Sequence, residues 1–329
     1  MSGMSKMPEA PVPETPVPET PVSDAPKDNW VDLYAPAAAK PWLRLSRADR
    51  PIGTWLLFIP CLWGVALAAM VDGFRLWDLW LALSCGIGAF VMRGAGCTWN
   101  DITDRHIDAQ VARTRSRPLP SGAVTVRGAL VWMALQAALG AVILFSYNWA
   151  SVGLGVASLA LVAIYPFAKR FTWWPQAFLG LAFNWGALLA WAAHGGALSV
   201  APVLLYAAGI TWTLWYDTIY AHQDREDDAL IGVKSTARLF GDKTRTWLRG
   251  FMGLTMGLLG MAVLVALLGQ TDMIKLVLAL GGIWAFGWHM TWTMQRLNLD
   301  DPASCLRAFR SSRDGGLIVA LFLAAAAAL

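Results

Sequence analysis

The chain has 329 residues, of which 57% are hydrophobic and only 15% charged, and its mean hydropathy is +0.48. A soluble domain carries about 25% charge, so these values exclude a freely soluble enzyme and imply that much of the surface meets lipid. The formal net charge of +4 is too small to argue for a nucleic-acid partner.

In chain order, residues 1–36 come first. They repeat PVPET twice between positions 11 and 20 and continue as PVSDA. Such a stretch cannot bury a core, which predicts a disordered, partly polyproline-II tail and leaves 37–329 as one membrane domain. The N-terminus is polar and Pro-rich rather than basic then apolar, so no cleavable signal is expected. From Arg50 onward apolar runs recur at spanning length, about 20 residues each. Nine helices are predicted, at about 52–71, 77–98, 128–147, 149–168, 173–194, 198–221, 247–268, 272–294 and 314–329. The last is short for a span and is expected to tilt or lie partly in the interface. The 19 Trp suit interfacial belts. Trp185, Trp191, Trp212 and Trp215 are expected to pack, with a cation–π role as the lesser alternative. Cys61, Cys85, Cys97 and Cys305 show no CxxC spacing and read as reduced packing residues.

Charge tests the helix count. With the N-terminus inside, 23 of the 26 Lys and Arg fall in the tail and in the loops after even-numbered spans. Arg75 and Lys275 fall on the other side, and Arg93 lies within the second span. Basic loops stay inside, so this asymmetry predicts a cytoplasmic N-terminus and, for a bacterial chain, the inner membrane.

The acids are equally uneven. Asn100, Asp104 and Asp108 are four residues apart after the second span, in NDITDRHID. They share one face if the helix continues beyond the membrane. Asp217, Asp224 and Asp228 repeat the pattern at the end of the sixth span, at spacings of seven and four. Like charges at i, i+4 repel unless a cation lies between them, and oxygen-only ligands suit Mg²⁺. Arg113, Arg115 and Arg117 follow the first cluster, Lys234 follows the second, and Lys169 and Arg170 close the fourth span. Metal on one flank and Arg or Lys on the other suit a diphosphate. His106 and His222 lie among the acids; supporting or solvent-facing roles fit them better than ligation of a hard ion. An Arg within a span, such as Arg93, must face the bundle interior or a wet cavity.

These motifs resemble the UbiA superfamily of intramembrane prenyltransferases, in its NDxxDxxxD signature at Asn100–Asp108 and its DxxxD signature at Asp224–Asp228. The strings MRGAGCTWNDITDRHID, RTRSRPLPSG, YPFAKR and YDTIYAHQDREDDALIGVKST are similar to the 4-hydroxybenzoate branch of that family, the ubiquinone-pathway branch. The similarity covers about 45–325. The resemblance implies an all-α integral membrane fold, nine transmembrane helices around a central cavity open sideways to the lipid bilayer, with cytoplasmic Asp-rich cap loops. It implies that Asn100, Asp104, Asp224 and Asp228 hold Mg²⁺ on a polyprenyl diphosphate, with Asp101, Asp108 and Asp227 beside them. Arg113, Arg117 and Lys234 would contact phosphate. Arg50, Arg93 and Arg170 remain alternatives for the carboxylate of 4-hydroxybenzoate. Two rivals stay open: the same fold with another acceptor (haem, a naphthoate or homogentisate), and a secondary transporter. Transporters place ionisable groups near the midplane, whereas these acids sit at helix ends.

Overall fold

The computed structural model describes residues 25–26, 28–110, 114–230 and 232–329, and for Asp227 the backbone alone. Among the described residues the regular structure is helical, with nine helices of sixteen residues or more. They are α1 (Ile52–Asp72), α2 (Leu76–Asp108), α3 (Val126–Leu144), α4 (Trp149–Ile164), α5 (Pro175–Gly195), α6 (Val200–Ala221), α7 (Thr244–Ala266), α8 (Met273–Arg296) and α9 (Pro302–Ala327). Helix α4 runs on through the short turns Tyr165–Phe167 and Ala168–Phe171. Seven of these segments are long and apolar enough to cross a membrane; α6 and α9 are the two outside that group.

Helices are the form apolar sequence takes in lipid, because each satisfies its own backbone hydrogen bonds. Their ends follow ordinary cap chemistry. Asn148 caps α4 by accepting from Ser151 N, Thr125 caps α3 through Gly128 N, and Asp301 caps α9 just before Pro302. That last cap corrects an expectation. The final helix is 26 residues long and begins at Pro302, not at 314. Its first half carries Arg307, Arg310 and Arg313, which hid it from an apolar-run reading.

Helices α1, α5, α6 and α9 pack together at the centre, α7 and α8 close one side, and α2 and α3 pair on the other. The central core is aromatic: Trp63, Trp212, Trp215, Tyr216 and Phe286 are all fully buried. Trp63 lies 5.0 Å from Trp212 between ring centroids and donates Nε1–H to Gly316 O at 2.8 Å. Gly316 is required at this crossing, because a Cβ there would meet the Trp212 ring at 2.5 Å and Ile59 at 2.8 Å; close helix approach in membranes selects small residues. Trp212 and Trp215 therefore pack as expected, while the idea of interfacial belts does not extend to the core tryptophans.

The N-terminal boundary also differs. Trp30–Tyr34 forms a short helix capped by Asn29, Val31 is buried, and Trp30 Nε1 donates to Ala48 O at 2.8 Å. Folded chain thus begins ahead of residue 37; residues 1–24 of the expected tail lie outside the described residues.

Candidate active site

Helix α2 is 33 residues long, or about 50 Å at 1.5 Å per residue, well beyond a hydrocarbon core of about 30 Å. Its apolar first part gives way to polar last turns, in which Asp101, Ile102, Asp104 and Asp108 are buried. Those turns carry Asn100, Asp104 and Asp108 on one face. Helix α6 ends in the same region, with Asp217 on its last turns and Asp224 and Asp228 in the short helices that follow. The opposite end of α2 is marked by Arg75 and Asp78, which cap it reciprocally.

All six residues line one cavity of about 260 Å³, with Lys169, Lys234 and Arg117 also on its wall. Two loops shape it. Pro118–Gly122 turns back through Gly122 at φ +76°, and Val124 N donates to Pro118 O at 2.9 Å. Gly232, at φ +74°, lets the chain after α6 reverse, so that Lys234 N donates to Lys169 O at 3.3 Å and Lys234 Nζ to Phe171 O at 3.3 Å. The loop after the second acidic cluster is thereby seated on the α4–α5 connection.

A second cavity of about 480 Å³ lies between α1, α2, α3, α4 and α5, walled mainly by apolar side chains such as Leu57, Met92, Leu144, Leu159 and Phe183. Asn100, Arg117, Tyr165 and Tyr220 line both cavities. They form a neck between a charged chamber and an apolar one.

The charges are paired unevenly. Asp104 is 1% exposed; Lys169 Nζ donates to its Oδ2 at 2.5 Å and Arg170 Nη2 to its Oδ1 at 3.3 Å. Arg117 Nη1 donates to Asp108 Oδ2 at 2.8 Å. Outside the spans, His222 is buried and donates to or accepts from Thr244 Oγ1 at 3.2 Å; burial, aided by the Arg225 charge, pushes its pKa down to about 4.

Asn100, Asp104, Asp108, Asp217, Asp224, Asp228, Arg117 and Lys234 come together at the charged cavity. Arg93 and Arg50 line the apolar one, Arg50 also pairing with Asp49 at 3.2 Å. Arg170 lines neither cavity; it is nearly half exposed and sits between Asp104 and the Phe167 ring. Asp101, expected beside a metal, lines neither cavity and is fully buried against Arg47 at 2.6 Å. The reason is helical phase, since a residue adjacent to Asn100 points about 100° away around the axis. Arg113 and the Asp227 side chain lie outside the described residues. His106 is exposed and His222 lines neither cavity.

Sequence reasoning counted Lys169 among the cations that suit a diphosphate but gave no site role to Tyr165, Tyr220 or Arg47. Tyr165 and Lys169 both belong to the YPFAKR string, which was the available signal. Nothing in the order of residues ties Arg47 to Asp101. Among the described residues no three His, Cys, Asp or Glu side chains are gathered as a closed metal site. The donor chemistry still fits a hard divalent ion, because every acidic or amide ligand on the cavity wall offers oxygen, and such ions complete their shell with water and substrate phosphate.

A model of the UbiA prenyltransferase family matches residues 57–326. This chain belongs to that family. It is 49% identical over 282 residues to the Aedes aegypti protein "4-hydroxybenzoate polyprenyltransferase, mitochondrial", covering 85% of this chain and 62% of that one. The chain thus spans under two thirds of that relative's length. It is 46% identical over 288 residues to the Homo sapiens protein of the same name, covering 87% of this chain and 75% of that one. Among solved structures, a UbiA homolog from Archaeoglobus fulgidus bound to GPP and Mg²⁺ superposes with a TM-score of 0.63 at 21% identity, covering 87% of this chain and 98% of that one; this likeness speaks to the fold. The UbiA family chain described here is therefore similar to proteins named as mitochondrial, which overturns the expectation of a bacterial inner membrane. The charge asymmetry behind that expectation orients a chain across a membrane and carries no information on which membrane it is.

Proposed function

We propose that this chain transfers a polyprenyl group from its diphosphate to the ring carbon ortho to the hydroxyl of 4-hydroxybenzoate, releasing diphosphate. The observation that carries this reading is the neck at Asn100, Arg117, Tyr165 and Tyr220, where a charged cavity of about 260 Å³ meets an apolar one of about 480 Å³. A prenyl diphosphate divides its polarity at the bond that must break, and these two chambers divide in the same way. The names of the relatives support the acceptor.

Asn100, Asp104, Asp224 and Asp228 would hold Mg²⁺, with Asp108 close by. When bound, the ion supplies positive charge against the oxygens of the departing diphosphate. Lys169, Lys234 and Arg117 add fixed positive charge on the same cavity wall, which favours the transition state over the ground state as the leaving group gathers charge. The apolar walls take the isoprenoid tail and keep water from the allylic cation. Tyr165 and Tyr220 line the neck, where an aromatic ring would stabilise that cation.

Of the three arginines open for the acceptor carboxylate, Arg93 fits best. It lies within α2, lines the apolar cavity, and its buried Nε has no hydrogen-bond partner among the described residues. Its guanidinium carbon stands 5.4 Å from the Phe183 ring centre, so a cation and an aromatic ring lie side by side on the wall that would receive an aromatic acid. Arg50 and Arg170 are engaged with Asp49 and Asp104. Carbon–carbon bond formation puts a proton to be lost on the ring, and a carboxylate oxygen of Asp217, one helical turn before Tyr220, takes it.

We read all nine long helices as membrane-crossing. Helix α6 packs against α5, α7 and α9, and α9 against α1, α6 and α8, so neighbouring helices shield much of both from lipid and tolerate their polar residues. The decisive experiment incubates the purified chain with labelled polyprenyl diphosphate and, separately, 4-hydroxybenzoate, haem and a naphthoate, with Mg²⁺ or EDTA. Prenylated 4-hydroxybenzoate, lost in EDTA and restored by Mg²⁺, is the expected result. Transfer to haem or naphthoate with 4-hydroxybenzoate untouched would overturn the acceptor, and full turnover in chelator would overturn the metal.

A further inference from the structure

We infer that Asp101 is a positioning residue that holds two arginines, Arg117 at the neck between the two cavities and Arg47 on the wall of the apolar one, and is not a metal ligand. The inference rests on the prenyl diphosphate reading for what those arginines touch, and on the geometry for the rest.

Asp101 is 0% exposed. Arg47 Nη2 donates to its Oδ1 at 2.6 Å, and Arg117 Nη1 lies 3.6 Å from the same oxygen while donating to Asp108 Oδ2 at 2.8 Å. Asp108, Arg117, Asp101 and Arg47 thus form one alternating chain of charges behind the cavity wall. Two faces of α2 have divided the work: Asn100 and Asp104 line the charged cavity, and Asp101 turns its carboxylate to the arginines. Both guanidinium groups meet Oδ1, and Oδ2 is buried without a hydrogen-bond partner among the described residues; the carboxylate lines neither cavity and is shut off from solvent, so no ion in the charged cavity reaches it.

Its partners come from elsewhere in the chain. Arg47 stands in the segment before α1 and Arg117 in the loop before α3, so Asp101 ties three separate segments together. Both arginines line the apolar cavity, and Arg117 also lines the charged one. Arg47 is held in the left-handed region at φ +58°, where a non-glycine residue is disfavoured unless its surroundings hold it. Its hydrogen bonds to Asp101 and to Arg44 O at 3.1 Å provide that restraint. Arg at both positions also has a geometric logic, since a guanidinium can meet a carboxylate with one edge and offer its remaining N–H groups elsewhere.

The test separates ligation from positioning in the full-length purified chain. Mn²⁺ is the probe, titrated with inorganic diphosphate present and counted by loss of the free-ion EPR signal, alongside steady-state kinetics. Asp101→Asn should keep the number and affinity of bound Mn²⁺ within about twofold of the parent, raise KM for polyprenyl diphosphate about tenfold or more, and change kcat less than about threefold. Asp104→Asn should lose Mn²⁺. Arg47→Lys keeps the charge without the fork and should show the same KM rise, and Asp101→Asn with Arg47→Lys should be no worse than Asp101→Asn alone. Loss of a bound Mn²⁺ in Asp101→Asn would make Asp101 a ligand and overturn the inference, as would an unchanged KM. If Asp101→Asn does not fold, Arg47→Lys decides by the same KM criterion. A parent chain that binds no Mn²⁺ would sink the metal reading, while the KM comparison would still decide the role of Asp101.

Discussion

Replacing Asp104 with Asn tests the charged cavity at its most constrained point. Its carboxylate is 1% exposed and takes Lys169 on one oxygen and Arg170 on the other. The substitution removes one negative charge but leaves a carbonyl that still accepts from Lys169. Lys169 and Arg170 are 25% and 45% exposed, so solvent screens much of what is lost, and the stability cost should stay near 1 kcal/mol. Turnover should fall much further. A group that helps stabilise charge in the transition state is worth about 10²- to 10³-fold in kcat, or ~2.7–4 kcal/mol. Membranes carrying the variant would be assayed with labelled polyprenyl diphosphate and 4-hydroxybenzoate, with Tm in detergent measured in parallel. Asp72→Asn is the control, because Asp72 ends α1 at the far side of the bundle and is 46% exposed. The pair Asp104→Asn and Asp228→Asn should lose far less than the sum of the two single effects, since both serve one assembly. Turnover of Asp104→Asn within threefold of the parent, at unchanged Tm, would refute the two-cluster reasoning.

Three further outcomes are expected. Gly53→Ala would drive a methyl group into the Arg93 guanidinium, so KM for 4-hydroxybenzoate should rise about tenfold with KM for the diphosphate little changed; an unaltered acceptor KM would remove Arg93 from that role. Cysteines at Arg115 and Leu230, both exposed near the acidic loops, should react with an impermeant reagent from one face of sealed vesicles, and a cysteine at Met273, 64% exposed, from the other; labelling of all three from one face would break the topology. The depressed pKa of His222 near 4, against about 6.5 when unfolded, means that the unfolded chain takes up a proton first as pH falls. Stability should therefore drop between about pH 6.5 and 4, by as much as ~3 kcal/mol, and His222→Gln should flatten the pH dependence of Tm across that window.

Much of the fold was legible because lipid imposes one backbone solution on any long apolar run, and eight of the nine predicted helices begin and end within a few residues of those observed, apart from the extension of α2. That extension was conditional in the sequence, since only an uninterrupted helix puts Asn100, Asp104 and Asp108 on one face. Helix α9 was misjudged because its first turns are polar and face neighbours at the bundle end. At the site, spacing revealed which acids share a face, and both clusters do meet at one cavity. It could not reveal counter-ions. Arg47 is 54 positions from Asp101, and Lys169 is 65 from Asp104; such pairs exist only once the chain has closed on itself. Spacing also missed that Asp101 faces inward, because a motif read as a string gives adjacent acids the same weight when the helix turns them apart.

The length of α2 has a mechanical consequence. Its first residue, Leu76, and Asp104 are 28 residues apart on one uninterrupted helix, or about 42 Å, which is about 12 Å more than the oily layer it crosses. The rod is pinned at its far end by Trp77 Nε1 and Arg75 Nη1, which donate to Ala193 O at 3.2 Å and His194 O at 3.0 Å. A rigid rod anchored below and carrying acids above works as a dipstick: the thickness of the surrounding bilayer sets how far those acids stand clear of it. In a thicker bilayer the protein must thin the lipid around it or draw its carboxylates toward oil, and either response has a modest cost per ångström of mismatch. Activity measured in vesicles of graded acyl length should thus peak at one thickness, with the optimum set by α2 rather than by the chemistry above it.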